Sequence, residues 1–141
     1  MAIINQPPKE KYIRFSVVIP ESMHIKLENY VRELAFTKGR GYSKSDFVRE
    51  AIIESLHIVY ADKTKTPSGS AYNPVKALKV EPNIRFSVVI GESHHEDLES
   101  FVREYSFFNH VDFKKSDFVR ESVLARIAEI DAEKAKATQH G

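Results

Sequence analysis

One offset of 71 residues lays half of this chain on the other half. Ile13 to Ile19 reads IRFSVVI, as does Ile84 to Ile90, and Ser45 to Glu50 reads SDFVRE, as does Ser116 to Glu121. No gap is needed, and about half of the pairs from Ile13 to Leu56 against Ile84 to Ile127 are identical. Two copies are too few for a solenoid, which needs at least about three stacked units. With only 141 residues to divide, each copy is near the size at which a separate core becomes marginal. The copies are therefore expected to complete each other, as a dimer-like domain written in one chain.

Each copy reads as strand, helix, helix. Phe15, Val17 and Ile19 alternate with Arg14, Ser16 and Val18, and Phe86, Val88 and Ile90 alternate with Arg85, Ser87 and Val89; a period of two in β-branched and aromatic residues predicts a strand with one buried face. Pro20 and Gly91 end the strands. Glu21 and Ser22 suit a helix entry, and Leu27, Tyr30, Val31 and Leu34, like Leu98, Phe101, Val102 and Tyr105, recur at helical spacing. Lys38-Gly39-Arg40-Gly41 ends the first of these helices, with Asn109 and Asp112 as weaker punctuation in the second copy. A further helix starts at Ser43, with Asp46 at capping-box spacing, and buries Phe47, Val48, Ala51, Ile52 and Leu56; its counterpart buries Phe118, Val119, Ser122, Val123 and Ile127.

These signals divide the chain into a first unit with an amino-terminal arm (1–60), a polar Pro-, Gly- and Ser-containing linker (61–83), a second unit (84–128) and a polar carboxy-terminal tail (129–141). Within the linker Val75 to Val80 can form a short packed segment. Zero cysteines exclude a disulfide framework and thiolate metal sites. No apolar run approaches the ~18 residues of a membrane span, and MAIINQPPKEKY lacks a signal-peptide core, so a cytoplasmic protein is expected. The net charge of +1 neither requires nor forbids a polyanionic partner. What matters is how the basic residues are arranged.

A lone strand leaves backbone donors and acceptors unpaired on both edges. The identical strand of the other copy is the natural partner, giving a two-stranded antiparallel ribbon over four helices. Its outward face then carries Arg14, Ser16, Val18, Arg85, Ser87 and Val89. That face, together with Gly41-Tyr42-Ser43-Lys44-Ser45 at the start of a second helix, resembles the ribbon-helix-helix family of transcription regulators, and the single-chain tandem form resembles the AvtR-type regulators of archaeal viruses. The resemblance implies a mostly α fold with a two-stranded antiparallel ribbon, a duplicated β-α-α intrachain pseudo-dimer. It implies a ribbon that enters the major groove of double-stranded DNA, second-helix starts that hold phosphates, and, for a viral protein, the host cytoplasm as its location. About six residues more than in minimal members lie between the helices of each copy, around Phe36 to Tyr42 and Phe107 to Phe113.

On this reading Arg14 and Arg85 pair with guanines, Ser16 and Ser87 donate or accept, and Val18 and Val89 touch thymine methyls. Ser43, Lys44 and Ser45, with Lys114, Lys115 and Ser116, act on phosphates, although Lys114 and Asp112 replace Ser43 and Gly41 in the second copy. Lys11, Tyr12 and Asn83 are weaker flanking contacts. Tyr12 corresponds to Asn83 and Lys11 to Pro82, so the operator is expected to be only approximately palindromic.

Other signals carry less. His94-His95-Glu96-Asp97 offers metal-capable side chains, but adjacent histidines do not share a helix face and only His24 recurs in the first copy, so neither a metal nor another cofactor is expected. Arg32-Glu33, Arg103-Glu104, Arg49-Glu50 and Arg120-Glu121 read as solvated charges or ion pairs between the halves. No carboxylate has the base, nucleophile or pocket of an enzyme beside it, and no small-molecule ligand is expected. Further self-association on DNA is compatible with the pattern. The competing reading is an antitoxin-like DNA-binding protein that holds a second protein through its tail or linker; a helical interaction module without DNA would be favoured by an apolar or acidic strand face, and this face is neither.

Overall fold

A computed structural model describes residues 11–39, 41–61, 66–67 and 82–140. The arm before Lys11, most of the linker and its Val75 to Val80 segment lie outside the described residues. The order is β1 (Tyr12–Pro20), α1 (Glu21–Lys38), α2 (Lys44–Ala61), β2 (Asn83–Gly91), α3 (Glu92–Asn109) and α4 (Lys115–His140). The protein is mostly helical, with one two-stranded sheet among the described residues.

β1 and β2 pair antiparallel within the chain, Ser16 opposite Ser87, Arg14 opposite Val89 and Val18 opposite Arg85. Ser87 is itself the counterpart of Ser16, so exchanging the two strands leaves the register unchanged. Two backbone bonds repeat the same exchange beyond the ribbon: Glu21 N–H donates to the Pro82 carbonyl at 2.9 Å and Glu92 N–H to the Lys11 carbonyl at 2.8 Å.

Alternation decides which face is buried. Val17, Ile19, Val88 and Ile90 are fully buried and join one core with Leu27, Leu98 and the second-helix residues Phe47, Val48, Ile52, Phe118, Val119 and Val123. All ten residues assigned from periodicity to the buried faces of α2 and α4 are buried. Burial of each large aliphatic side chain contributes about 1.5–3 kcal/mol, against which the short ribbon alone would be marginal. Met23, Val59 and Phe113 are further core residues.

The two first helices end at equivalent positions in different backbone conformations and by different chemistry. Gly39, at φ 105°, ends α1, and its N–H donates to the Ala35 carbonyl at 3.0 Å. At the same place in the second copy stands His110, left-handed at φ 53°, rather than Asn109 or Asp112. There the Ser106 hydroxyl accepts from Phe113 N–H at 3.0 Å and donates to the Phe113 carbonyl at 2.9 Å, closing the turn without a glycine. Of the stretches between the helices, Phe36 to Lys38 and Phe107 to Asn109 are helical and belong to the last turns of α1 and α3.

α4 extends through His140, so the polar stretch after Ile130 is helical. Tyr30 donates to Asp131, and Lys134 lies 2.6 Å from Glu33 and over the Tyr30 ring, which ties α4 to α1 of the other half. The bond to Asp131 favours the protonated phenol and raises the Tyr30 pKa to about 12.

Candidate nucleic-acid interface

The outward face of the ribbon follows from the pleat. Arg14, Ser16, Arg85 and Ser87 are exposed, and Val18 and Val89 are half-buried, each directly across from the arginine of the other strand. An arginine stem beside a valine can cover its methyls while the guanidinium stays in water. At the two ends Tyr12 is 66% exposed and Asn83 is exposed. Lys11 is exposed too, with its carbonyl engaged by Glu92.

The second-helix starts are built differently in the two halves. Ser43 and Asp46 form a reciprocal cap: Ser43 N–H donates to Asp46 Oδ2 at 2.8 Å, its hydroxyl donates to the same oxygen at 2.9 Å, and Asp46 N–H reaches Ser43 Oγ at 3.3 Å. The backbone bond first, then the hydroxyl, holds the Asp46 carboxyl below its ordinary range, against the opposing effect of burial. In the second half Lys114 N–H donates to Asp117 Oδ2 at 2.8 Å, while the Lys114 ammonium is 3.6 Å from Asp112. Ser43 and Lys114 are exposed; Ser45 and Ser116 are half-buried.

Lys44 and Lys115 do not simply project into solvent. Lys44 Nζ is 2.9 Å from His24 Nε2 and 4.7 Å from the centre of the Phe86 ring, which belongs to the other half's strand. Lys115 repeats this with His95 at 3.3 Å and Phe15 at 5.3 Å. Because an ammonium only donates, Nε2 accepts, and Nδ1–H is left to donate to Glu28 at 3.2 Å in one half and Glu99 at 3.1 Å in the other. Phe15 and Phe86 are thus the inner-face residues that receive the lysines, and the lysines are anchored across the halves. His95, set aside in sequence as half of an adjacent pair, has this structural role; its recurrence as His24, with Glu28 and Glu99 four residues on, was the available signal.

Arginine supplies the other cross-ties. Arg49 Nε donates to the Val89 carbonyl at 3.0 Å and its Nη1 to Asp46 at 3.2 Å, bracing the ribbon edge from α2. Arg120 pairs with Asp117 at 2.9 Å, but its Nε is buried with no hydrogen-bond partner among the described residues. Arg126 joins the halves through Glu54 at 2.8 Å and Glu50 at 3.4 Å, and Glu50 also takes Tyr42 and Lys38. Sequence gave no sign of Arg126, whose counterpart is Ser55. At the far ends of the first helices, Phe36 and its counterpart Phe107 are 89% and 74% exposed.

Among the described residues no helix is long and apolar enough to cross a membrane. Comparisons with protein-family models, curated proteins and solved structures gave no match.

Proposed function

We propose that the chain is a sequence-specific double-stranded DNA-binding transcription regulator, a covalent ribbon-helix-helix pseudo-dimer that reads the major groove with its outward ribbon face. The observation that carries this reading is the register: it sets Arg14, Ser16 and Val18 against Val89, Ser87 and Arg85 in an arrangement unchanged by exchanging the strands. A duplex has the matching approximate twofold symmetry, and its major groove, about 12 Å wide, admits a two-stranded ribbon. Arg14 and Arg85 stand four rungs apart, which at about 3.4 Å per residue is about 14 Å, or roughly four base-pair steps. Each arginine then takes guanine O6 and N7, the serines sit over the operator centre, and the valines meet thymine methyls.

The starts of α2 and α4 supply backbone anchoring. The amino end of a helix carries the positive end of its dipole and favours anions. Lys44 and Lys115, steadied on Phe86 and Phe15, place positive charge beside those starts, and Lys114 adds a further cation in the second half. These contacts set register and carry no sequence information. Because both strands belong to one chain, formation of the reader does not depend on a second molecule.

Selection of binding duplexes from a random library tests the reading. The expected result is an enriched, approximately inverted motif with guanines roughly four base pairs apart, protected around one centre. Recovery of sequences indistinguishable from the starting library would overturn it.

A further inference from the structure

We infer that the chain binds its operator in a single orientation, set by Tyr12 at one end of the ribbon and Asn83 at the other, each reading a different flanking base pair. The inference rests on the DNA-reading function proposed above and adds polarity to it.

The symmetry of the register is what makes the ends decisive. A half-turn about the Ser16–Ser87 rung exchanges Arg14 with Arg85 and Val18 with Val89, so those six side chains contribute no preference between the two orientations on DNA. Any preference must come from equivalent positions with different residues. Tyr12 and Asn83 are equivalent under the 71-residue offset, share the parity of the outward arginines, and lie opposite Gly91 and Pro20 at the two ends of the ribbon. Both are exposed.

Their chemistry does not interchange. The Asn83 carboxamide has one donor and one acceptor side, the pattern that pairs bidentately with adenine N6 and N7. A tyrosine ring cannot form that pair; it offers an apolar face to a thymine methyl and a hydroxyl to a phosphate. The two residues are eight rungs apart, about 27 Å, so each falls roughly two base pairs outside its neighbouring arginine. One good bidentate contact discriminates by roughly 5- to 150-fold, and even the lower figure leaves only about one complex in six reversed. The helix starts differ in the same direction-dependent way, Ser43 with its cap against Lys114 beside Asp112.

The absence of cysteine permits a direct test. Glu21, exposed at the start of α1, lies at the Asn83 end of the ribbon, bonded through its N–H to Pro82. Glu21→Cys carrying iron-EDTA, bound to a duplex selected by the wild-type protein, should cleave predominantly on one side of the operator centre, the side bearing the adenine. Glu92→Cys, its counterpart, should cleave the other side. In the double swap Tyr12→Asn with Asn83→Tyr, the Glu21→Cys cleavage should move to the opposite flank of the same duplex. Equal cleavage on both flanks, with protection of the operator intact, would overturn the single orientation while leaving DNA reading in place. One-sided cleavage unmoved by the swap would overturn the assignment to Tyr12 and Asn83. Failure of the wild-type protein to select or protect any sequence would overturn both this inference and the function beneath it.

Discussion

The interhelix turns and the ribbon's outward face diverge in opposite ways. The turns are structural, yet their residues differ: Gly39, Gly41, Tyr42 and Ser43 against His110, Asp112, Phe113 and Lys114. The outward face makes little of the core, yet Arg14, Ser16 and Val18 recur unchanged as Arg85, Ser87 and Val89. Folding tolerates several solutions for a turn, as the glycine and serine-hydroxyl versions show. It places almost no demand on an exposed arginine or serine. Identity retained where folding does not need it points to a requirement outside the fold, and a twofold-symmetric partner is one that would impose it twice.

The turns offer the sharpest ways to test that contrast. In the second half Phe113 is buried against Tyr105 and Phe101, with ring centres 4.8 Å and 6.3 Å away. Its counterpart Tyr42 is only half-buried and holds Glu50 through its hydroxyl. Phe113→Ala should therefore cost about 3–5 kcal/mol in denaturant unfolding, and Tyr42→Phe only about 0.5–1.5 kcal/mol. Equal costs would mean that the turns are not separate solutions.

Next in size is the cap. Ser43→Ala should lower stability by about 1 kcal/mol, and Lys114→Ser, which adds the cap hydroxyl that lysine lacks, should raise it by a similar or smaller amount. Asp46 has a folded pKa below its unfolded value of 3.8, so its contribution is complete above that value and is lost as pH falls through the lower folded pKa. Ser43→Ala, by removing the hydroxyl that favours the carboxylate, should make the acid loss shallower. An unchanged acid titration would show that the cap does not form in solution.

The smallest effect belongs to the tie between α4 and α1. Tyr30→Phe should cost no more than about 1 kcal/mol near neutral pH, since the pair is only partly shielded. Its folded pKa of about 12 exceeds the unfolded 10, so the stabilisation is present below pH 10 and fades as pH rises towards 12. Alkaline unfolding curves of the wild type and Tyr30→Phe should converge over that range; parallel curves would place Asp131 away from the phenol.

What was legible in the sequence was whatever is periodic or repeated. The alternation in IRFSVVI gave the inner and outer strand faces, and helical spacing gave the buried faces of α2 and α4. Ties between the halves were harder to see because their partners are distant and need not be duplicated. Lys44 meets Phe86 across the halves, Arg126 has serine as its counterpart, and the end of α4 is polar by composition yet held by Tyr30 and Glu33 about a hundred residues away. His110 escaped notice because histidine in a left-handed turn is less usual than glycine or asparagine.

The central claim is that the outward face serves recognition and not folding, and measuring stability and binding together on Arg14→Ala and Arg85→Ala tests it most directly. The account predicts unfolding free energies within about 0.5 kcal/mol of the wild type, with a loss of about 1–3 kcal/mol on the selected duplex for each variant and little change on unrelated DNA. Unchanged affinity and preference in both variants, or a loss of stability that accounts for the loss of binding, would contradict it.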